Sequence, residues 1–326
     1  IYEILKNKYN CYLGGNIGYP LFTKIGEMKP EDIVVLELSS FQLMTMKKNP
    51  DIAVVTNVTP NHLDIHKSYE EYIEAKANIF KNQTESNKLV LNYDNEITRN
   101  FAKKAKSKVE FFSSKEKLEN GVIYDEGIIK IAENGLRRHI VKLKDTNLRG
   151  VHNAENICAA IAATMDLVDV ETQEKAIKEF KGVNHRLEFV RELDGVKYYN
   201  DSIGTSPAST IAGLNAFDEN IILLAGGSDK GLDYKEVGEN IARKVGILIL
   251  TGPTAEKIED ATLKAKNGEN VKIYHCENLK EAVELSKNVS TPGDVVLLSP
   301  ASASFDAFKN FVERGIKFKE LVNNLK

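Results

Sequence analysis

No apolar run in the 326 residues approaches the ~20 that a bilayer-crossing helix needs, which excludes a helical membrane span. Cysteine is scarce. Cys11, Cys158 and Cys276 are scattered, with neither close pairing nor metal-ligand spacing. An odd, dispersed set suits a reducing compartment, so a cytoplasmic location is expected. No sign of charge dominates: 44 basic against 47 acidic residues leave a net charge of -3, which argues against nucleic acid or an anionic membrane surface as partner. No signal peptide is expected, and these residues show neither an internal repeat nor a low-complexity segment. The chain opens at Ile1 rather than Met, and Ile1–Leu5 reads as mid-helix with no capping residue before it. The natural protein is therefore expected to continue upstream.

What is present is an ordinary globular balance, 42% hydrophobic and 28% charged, in a length that suits two domains. Short apolar runs alternate with amphipathic stretches. Ile33–Leu36, Ile52–Thr56 and Lys88–Leu91 read as strands, and Tyr69–Phe80 and Ile97–Ala105 as helices. This rhythm predicts a mostly parallel α/β sheet. Gly121–Ile131, turning at Asp125-Glu126-Gly127, carries a hairpin signal, and Asn153–Met165 an apolar helix. After residue 182 the rhythm restarts, with strands at Val196–Asn200, Ile221–Ala225, Ile247–Leu250, Val271–Tyr274 and Val295–Leu298. Helices fit between them, and a last one follows Phe305. The expected domains are 1–182 and 183–326, the second Rossmann-like.

Several loops carry polar residues at strand ends, where open α/β sheets place ligands. Gly14-Gly15-Asn16-Ile17-Gly18 is a glycine-rich loop that does not match the dinucleotide fingerprint. Glu37 follows a strand and suits either Mg²⁺ or a solvated strand end. Asn57 to Asp64, with His62 inside it, suits a site or a proline-led turn. Lys76 is either a surface lysine of an amphipathic helix or a half-buried amine able to react. Asn153 and Asn156 share one helix face, fit for an adenine edge or for capping. Arg186 suits a phosphate or an interdomain ion pair; Asp201 suits a ribose hydroxyl or a metal-bound water. The loop Gly226–Gly231 holds Lys230, and Ser299–Asp306, which holds Ser304, reads as opening the last helix, where N–H groups suit a carboxylate.

In order and joint presence these segments resemble the successive motifs of the Mur ligase family. They are Gly14–Gly18, Leu36–Leu43, Asn57 with Asn61-His62-Leu63-Asp64, Ala75-Lys76, His152-Asn153 with Asn156, His185-Arg186 and Asn200-Asp201-Ser202. The block from Leu298 to Gly315 resembles the D-glutamate-adding member in particular. The resemblance implies a central ATP-binding domain followed by a C-terminal domain. It implies activation of a carboxylate by ATP as an acyl phosphate, which the amine of D-glutamate then attacks. UDP-N-acetylmuramoyl-L-alanine is the implied acceptor, and the implied state a monomer. By the same resemblance Glu37 and His62 lie at Mg²⁺ sites, and Lys76 reacts with CO₂ to give a metal-binding carbamate. Asn153 and Asn156 lie near adenine, Arg186 at the γ-phosphate and Asp201 at the ribose. Asn16 contacts the muramoyl substrate, and Thr205, Lys230 and Ser304 hold the D-glutamate carboxylates.

Two departures stand out. The Gly-Lys-Thr or Gly-Lys-Ser phosphate loop of such ligases is absent, so these 326 residues alone are expected to be inactive. Ile203 stands where many relatives have lysine, which shifts the D-glutamate contact towards Lys230. Two rival readings are a folylpolyglutamate-synthase-like ligase and a noncatalytic nucleotide-binding module.

Overall fold

The structure, a computed structural model, describes residues 1–17, 20–59 and 66–326. They divide into two compact units: residues 1–147 with 151–180, and residues 148–150 with 181–326.

In chain order the first unit holds α1 (Tyr2–Leu5), β1 (Cys11–Gly15), β2 (Ile33–Glu37), α2 (Ser40–Met44), β3 (Ile52–Val55), α3 (Tyr69–Ala77), β4 (Lys88–Asn92), α4 (Glu96–Phe101), β5 (Lys108–Ser113), β6 (Gly121–Asp125), β7 (Ile128–Glu133), β8 (Leu136–Lys142), α5 (Val151–Thr164) and α6 (Val170–Glu179). β1 and β2 pair in parallel as a separate sheet, and the other six run in the order β3-β4-β5-β6-β7-β8. β3 to β6 are parallel; β6, β7 and β8 form an antiparallel meander. The hairpin at Asp125-Glu126-Gly127 turns through Glu126 and Gly127, both at positive φ, the geometry of a tight two-residue turn. β4 is buried along its whole length, as a strand covered on both faces must be. α5 crosses β4, β5 and β6 and buries Ala154, Ile157, Cys158 and Ile161 there. Ser39 and Gln42 form a capping box that starts α2, and Ser68 caps α3.

The second unit holds β9 (Glu188–Leu193), β10 (Val196–Asn200), α7 (Pro207–Leu214), β11 (Ile221–Gly226), α8 (Lys235–Lys244), β12 (Val245–Thr251), α9 (Ala255–Leu263), β13 (Lys272–His275), α10 (Leu279–Val289), β14 (Val295–Leu298) and α11 (Phe311–Asn324). Its sheet order is β13-β12-β11-β14-β10-β9, parallel except for β9. Alternate residues of β11 serve opposite faces. Ile221 and Leu223 pack with Leu214, Val237 and Ile258 of α7, α8 and α9. Ile222 and Leu224 pack with Val283 of α10 and Phe318 of α11. The chain thus changes face between β11 and β14, and the crevice at their carboxyl ends is where such sheets take ligands. Residues 148–150 are tied into this unit through Arg149. It pairs with Glu219 at 2.8 Å and lies over the Tyr199 and Phe217 rings.

Two expectations need correction. Gly14-Gly15 is not loop but the end of β1, paired with Leu36 and Glu37. The last helix starts at Phe311, capped by Asn310, so residues 299–310 form a loop and Ser304 is not at a helix N-terminus.

Candidate active site

In the first unit the backbone brings Asn16 and Glu37 together. Gly15 has φ +95°, and a Cβ there would lie 2.1 Å from the Glu37 carbonyl oxygen, so the approach requires glycine. The Asn16 N–H donates to that carbonyl at 2.7 Å, and Asn16 Nδ2 donates to Glu37 Oε1 at 3.1 Å. Both residues are exposed. Lys76, near the end of α3, is half-buried, its Nζ 5.7 Å from the Tyr72 ring centroid. Burial lowers its pKa from the ordinary lysine value, and the Glu37 charge partly opposes that. A lowered pKa enlarges the fraction of neutral amine, the form that is nucleophilic. Asn16 and Glu37 thus pair directly, and Lys76 lies close enough to feel the Glu37 charge. His62 lies outside the described residues, with the rest of 60–65, as does Gly18 of the glycine-rich segment.

Asn153 and Asn156 lie on α5, the first half-buried and the second exposed, while Ala154 and Ile157 face the sheet. The first turn of α5 is fixed by Glu155, whose Oε1 accepts from Ser114 Oγ at 2.8 Å. The Ser114 N–H in turn donates to Asp94 Oδ2 at 2.7 Å.

In the second unit Asp201 is only 3% exposed. Ser299 Oγ donates to its Oδ2 at 2.7 Å and the Leu187 N–H to its Oδ1 at 3.2 Å. Both oxygens are thus used inside the unit, where the carboxylate braces the end of β10 against the end of β14. Burial raises its pKa from 3.8 to about 6, against the pull of Ser299, Leu187 and Arg186. Arg186 is exposed. The raised value has a consequence for stability. Between about pH 4 and 6 the folded state holds this proton and the unfolded state releases it, so stability falls as pH rises through that window. The drop from this group is at most about 3 kcal/mol. Asp201→Asn should flatten it, as urea-unfolding midpoints at pH 4, 5, 6 and 7 would show; an unchanged slope would disprove the assignment.

The loops that carry Lys230 and Ser304 are locked to each other. Gly227 has φ +146°, with room for no side chain, since a Cβ would lie 2.2 Å from the Ala303 carbonyl oxygen. The Ser228 N–H donates to that carbonyl at 2.9 Å, and Ser228 Oγ donates to Asp306 Oδ1 at 3.0 Å. Lys230 is exposed, Thr205 half-buried and Ser304 buried. Beside them, a cavity of about 110 Å³ opens at the carboxyl ends of β11 and β12, lined by Gly227, Thr251, Asp306, Phe308 and Arg314 among others. None of Thr205, Lys230 and Ser304 lines it.

Arg314 lies within the Leu298–Gly315 block, but the sequence assigned it no role. It is 4% exposed, and burial lowers its pKa to about 10. Nε donates to Ser202 Oγ, Nη2 to the Ser202 and Ser302 carbonyls, and Nη1 to the Ser302 and Ala303 carbonyls. Among the described residues no carboxylate lies within ion-pair distance of it. The signal was present, because a charged residue interrupts the buried stripe of Gly315, Phe318 and Val322 on α11. His66 was also missed. It is 4% exposed and lies in a polar loop with no periodic pattern to betray its burial.

Residues 3–164 match the Mur ligase middle domain, and residues 185–302 the Mur ligase glutamate ligase domain. The chain is 53% identical over 330 residues to the UDP-N-acetylmuramoylalanine–D-glutamate ligase of Acetivibrio thermocellus, covering 100% of this chain and 71% of that protein. The same-named protein of Ruminiclostridium cellulolyticum is 50% identical with the same coverage. Among solved structures, the MurF ligase of Thermotoga maritima in complex with ADP superposes with a TM-score of 0.66 at 23% identity, over 99% of this chain and 76% of that one. The UDP-N-acetylmuramoylalanyl-D-glutamyl-2,6-diaminopimelate–D-alanyl-D-alanyl ligase of Acinetobacter baumannii gives 0.69 at 16%, over 99% and 72%. These two likenesses bear on fold alone, whereas the sequence relatives decide membership: the chain belongs to the Mur ligase family, among its UDP-N-acetylmuramoylalanine–D-glutamate ligases.

Proposed function

We propose that this chain supplies the ATP-handling and amino-acid-handling units of a ligase that joins D-glutamate to UDP-N-acetylmuramoyl-L-alanine. An ATP- and Mg²⁺-dependent ligase of peptidoglycan synthesis, acting on small molecules, follows from family membership. The observation that carries the D-glutamate reading is 53% identity across the whole chain to a protein of that name. The acceptor carboxylate attacks the γ-phosphorus of ATP and ADP leaves. The D-glutamate amine then attacks the acyl carbon, and phosphate departs as the amine loses its proton.

The residues present fit a divalent cation. Glu37 offers a carboxylate and Asn16 an amide oxygen, and Lys76 would become an anion if CO₂ added to its neutral amine and the nitrogen released a proton to water. Carbamate and Glu37 would repel each other without a cation between them, so the modification and the metal favour one another. Bound Mg²⁺ would neutralise phosphate charge as the γ-phosphoryl group moves. Asn153 and Asn156 face adenine, Arg186 the γ-phosphate, and Asn16 the muramoyl group; Thr205, Lys230 and Ser304 hold D-glutamate. Asp201 would reach a ribose only if its bond to Ser299 opened. The protein works as a monomer, without nucleic acid.

The test is phosphate release from Mg-ATP and UDP-N-acetylmuramoyl-L-alanine by the product of the complete open reading frame. Release that needs D-glutamate, and that L-glutamate does not support, is expected. Release driven instead by a folate and L-glutamate would replace the reading. The 326 residues alone should give none, because no Gly-Lys-Thr or Gly-Lys-Ser loop occurs in them; measurable turnover by them would refute that expectation.

A further inference from the structure

One buried imidazole touches residues next to both Glu37 and Lys76 in the first unit. His66 Nε2 lies 2.9 Å from Ser40 Oγ. Ser40 is itself buried, opens α2, and follows Glu37 by three residues. The His66 ring stacks on Phe41 at 5.0 Å and meets Tyr72 edge-on at 5.3 Å. Tyr72 is the ring over which the Lys76 amine sits, one helical turn along α3. His66 Nδ1 has no hydrogen-bond partner among the described residues; the Glu71 carboxylate oxygen Oε2 lies 3.7 Å away. Glu71 Oε2 is already engaged by the Lys67 N–H at 2.7 Å.

We infer that His66 is a positioning residue for the Glu37–Lys76 pair, holding α2 through Ser40 and α3 through Tyr72. The inference rests on the metal-holding reading of Glu37 and Lys76 above. A ring hydrogen-bonded at Nε2 and packed between two aromatic rings has little freedom, and here its contacts fix the spacing of α2, which follows Glu37 in the chain, and α3, which carries Lys76. Groups that orient metal-binding side chains typically change metal affinity ~10–100-fold when removed.

The ring atoms make the prediction specific. Glutamine places its terminal amide near the Nε2 position, and asparagine near Nδ1. If the Nε2 bond to Ser40 is the working contact, His66→Gln should retain function and His66→Asn should lose it. The readout is Mn²⁺ affinity of the 326-residue protein, followed by electron paramagnetic resonance, with Glu37→Gln as the site control and thermal unfolding alongside. The expected result is at least tenfold weaker Mn²⁺ binding in His66→Asn and in Ser40→Ala, near-native binding in His66→Gln, and no further loss in the His66→Asn/Ser40→Ala double variant. If all three single variants bind Mn²⁺ like the wild type, or if unfolding temperature falls while affinity holds, His66 is merely a packing residue and the inference fails, though the metal reading stands. If wild type and Glu37→Gln bind Mn²⁺ alike, the metal reading falls and takes the inference with it.

Discussion

Replacing Lys76 with alanine should lower D-glutamate-dependent phosphate release by the complete protein on the order of a thousandfold, the scale of removing a principal electrostatic group from an active site. Three observations converge on this residue. It is half-buried on α3, its pKa is lowered by that burial, and the charge it feels most specifically is Glu37. A lysine kept only for solubility would be exposed and would keep its ordinary affinity for the proton. Fold and stability should survive the substitution, because the Nζ atom has no hydrogen bond or ion pair among those described, only the Tyr72 ring beside it. The check is steady-state kinetics with a Mg²⁺ titration. Lys76→Ala should also weaken the response to Mg²⁺, and the losses in Lys76→Ala and Glu37→Gln should be far from additive, since residues of one unit do not contribute independently. Additive losses, or a Lys76→Ala variant within tenfold of wild type, would remove Lys76 from the site.

Arg314→Met should destabilise the second unit strongly, by about 2–6 kcal/mol for two buried carbonyls left unpaired. The side-chain volume is nearly kept, so the loss would not come from a cavity. It would come from five lost hydrogen bonds, which leave the Ser202 and Ser302 carbonyls buried without a partner, while the Ala303 carbonyl keeps the Ser228 N–H and Ser202 Oγ keeps the Phe311 carbonyl. Ser202 follows β10, and the other two residues follow β14, so the guanidinium holds together the ends of neighbouring strands. Arg314→Lys keeps the charge but cannot form the fork, and should recover only part of the loss. Urea unfolding measures both. A loss below about 1 kcal/mol for Arg314→Met would mean that water satisfies those carbonyls.

The parts legible in the sequence are those that hydrophobicity alone determines. β10 and β14 lie at the expected residues: β14 is a fully buried apolar run, and β10 is a short β-branched and aromatic segment that is buried at four of its five positions. β8 and β9 were not expected. Leu136-Arg137-Arg138-His139 is exposed, and Glu188–Leu193 pairs antiparallel at the sheet edge, so neither carries a continuous apolar pattern. β1 read as a glycine loop because glycine weakens strand signals. Here it is required by the close approach to Glu37, a fact about a partner strand 22 residues away. The last helix was expected straight after the strand-end segment Ser299–Asp306, whereas it begins at Phe311. The backbone of that segment is engaged by Arg314, Ser228 and Thr210. In the candidate site, motif order located Glu37, Lys76, Asn153 and Asn156 on the described elements. The inward turn of Asp201 and the burial of His66 depend on contacts between residues far apart in the chain, which no local pattern encodes, whereas the burial of Arg314 could have been read from its place on the apolar stripe of α11.

The claim that matters most is that Glu37 and Lys76 act as one metal-holding pair once CO₂ has added to the lysine. ¹³C nuclear magnetic resonance of the protein in ¹³C-bicarbonate tests it directly. The account predicts a single carbamate resonance that strengthens with Mg²⁺, weakens in Glu37→Gln and disappears in Lys76→Ala. A spectrum without a carbamate resonance, or with one that persists in Lys76→Ala, would contradict it.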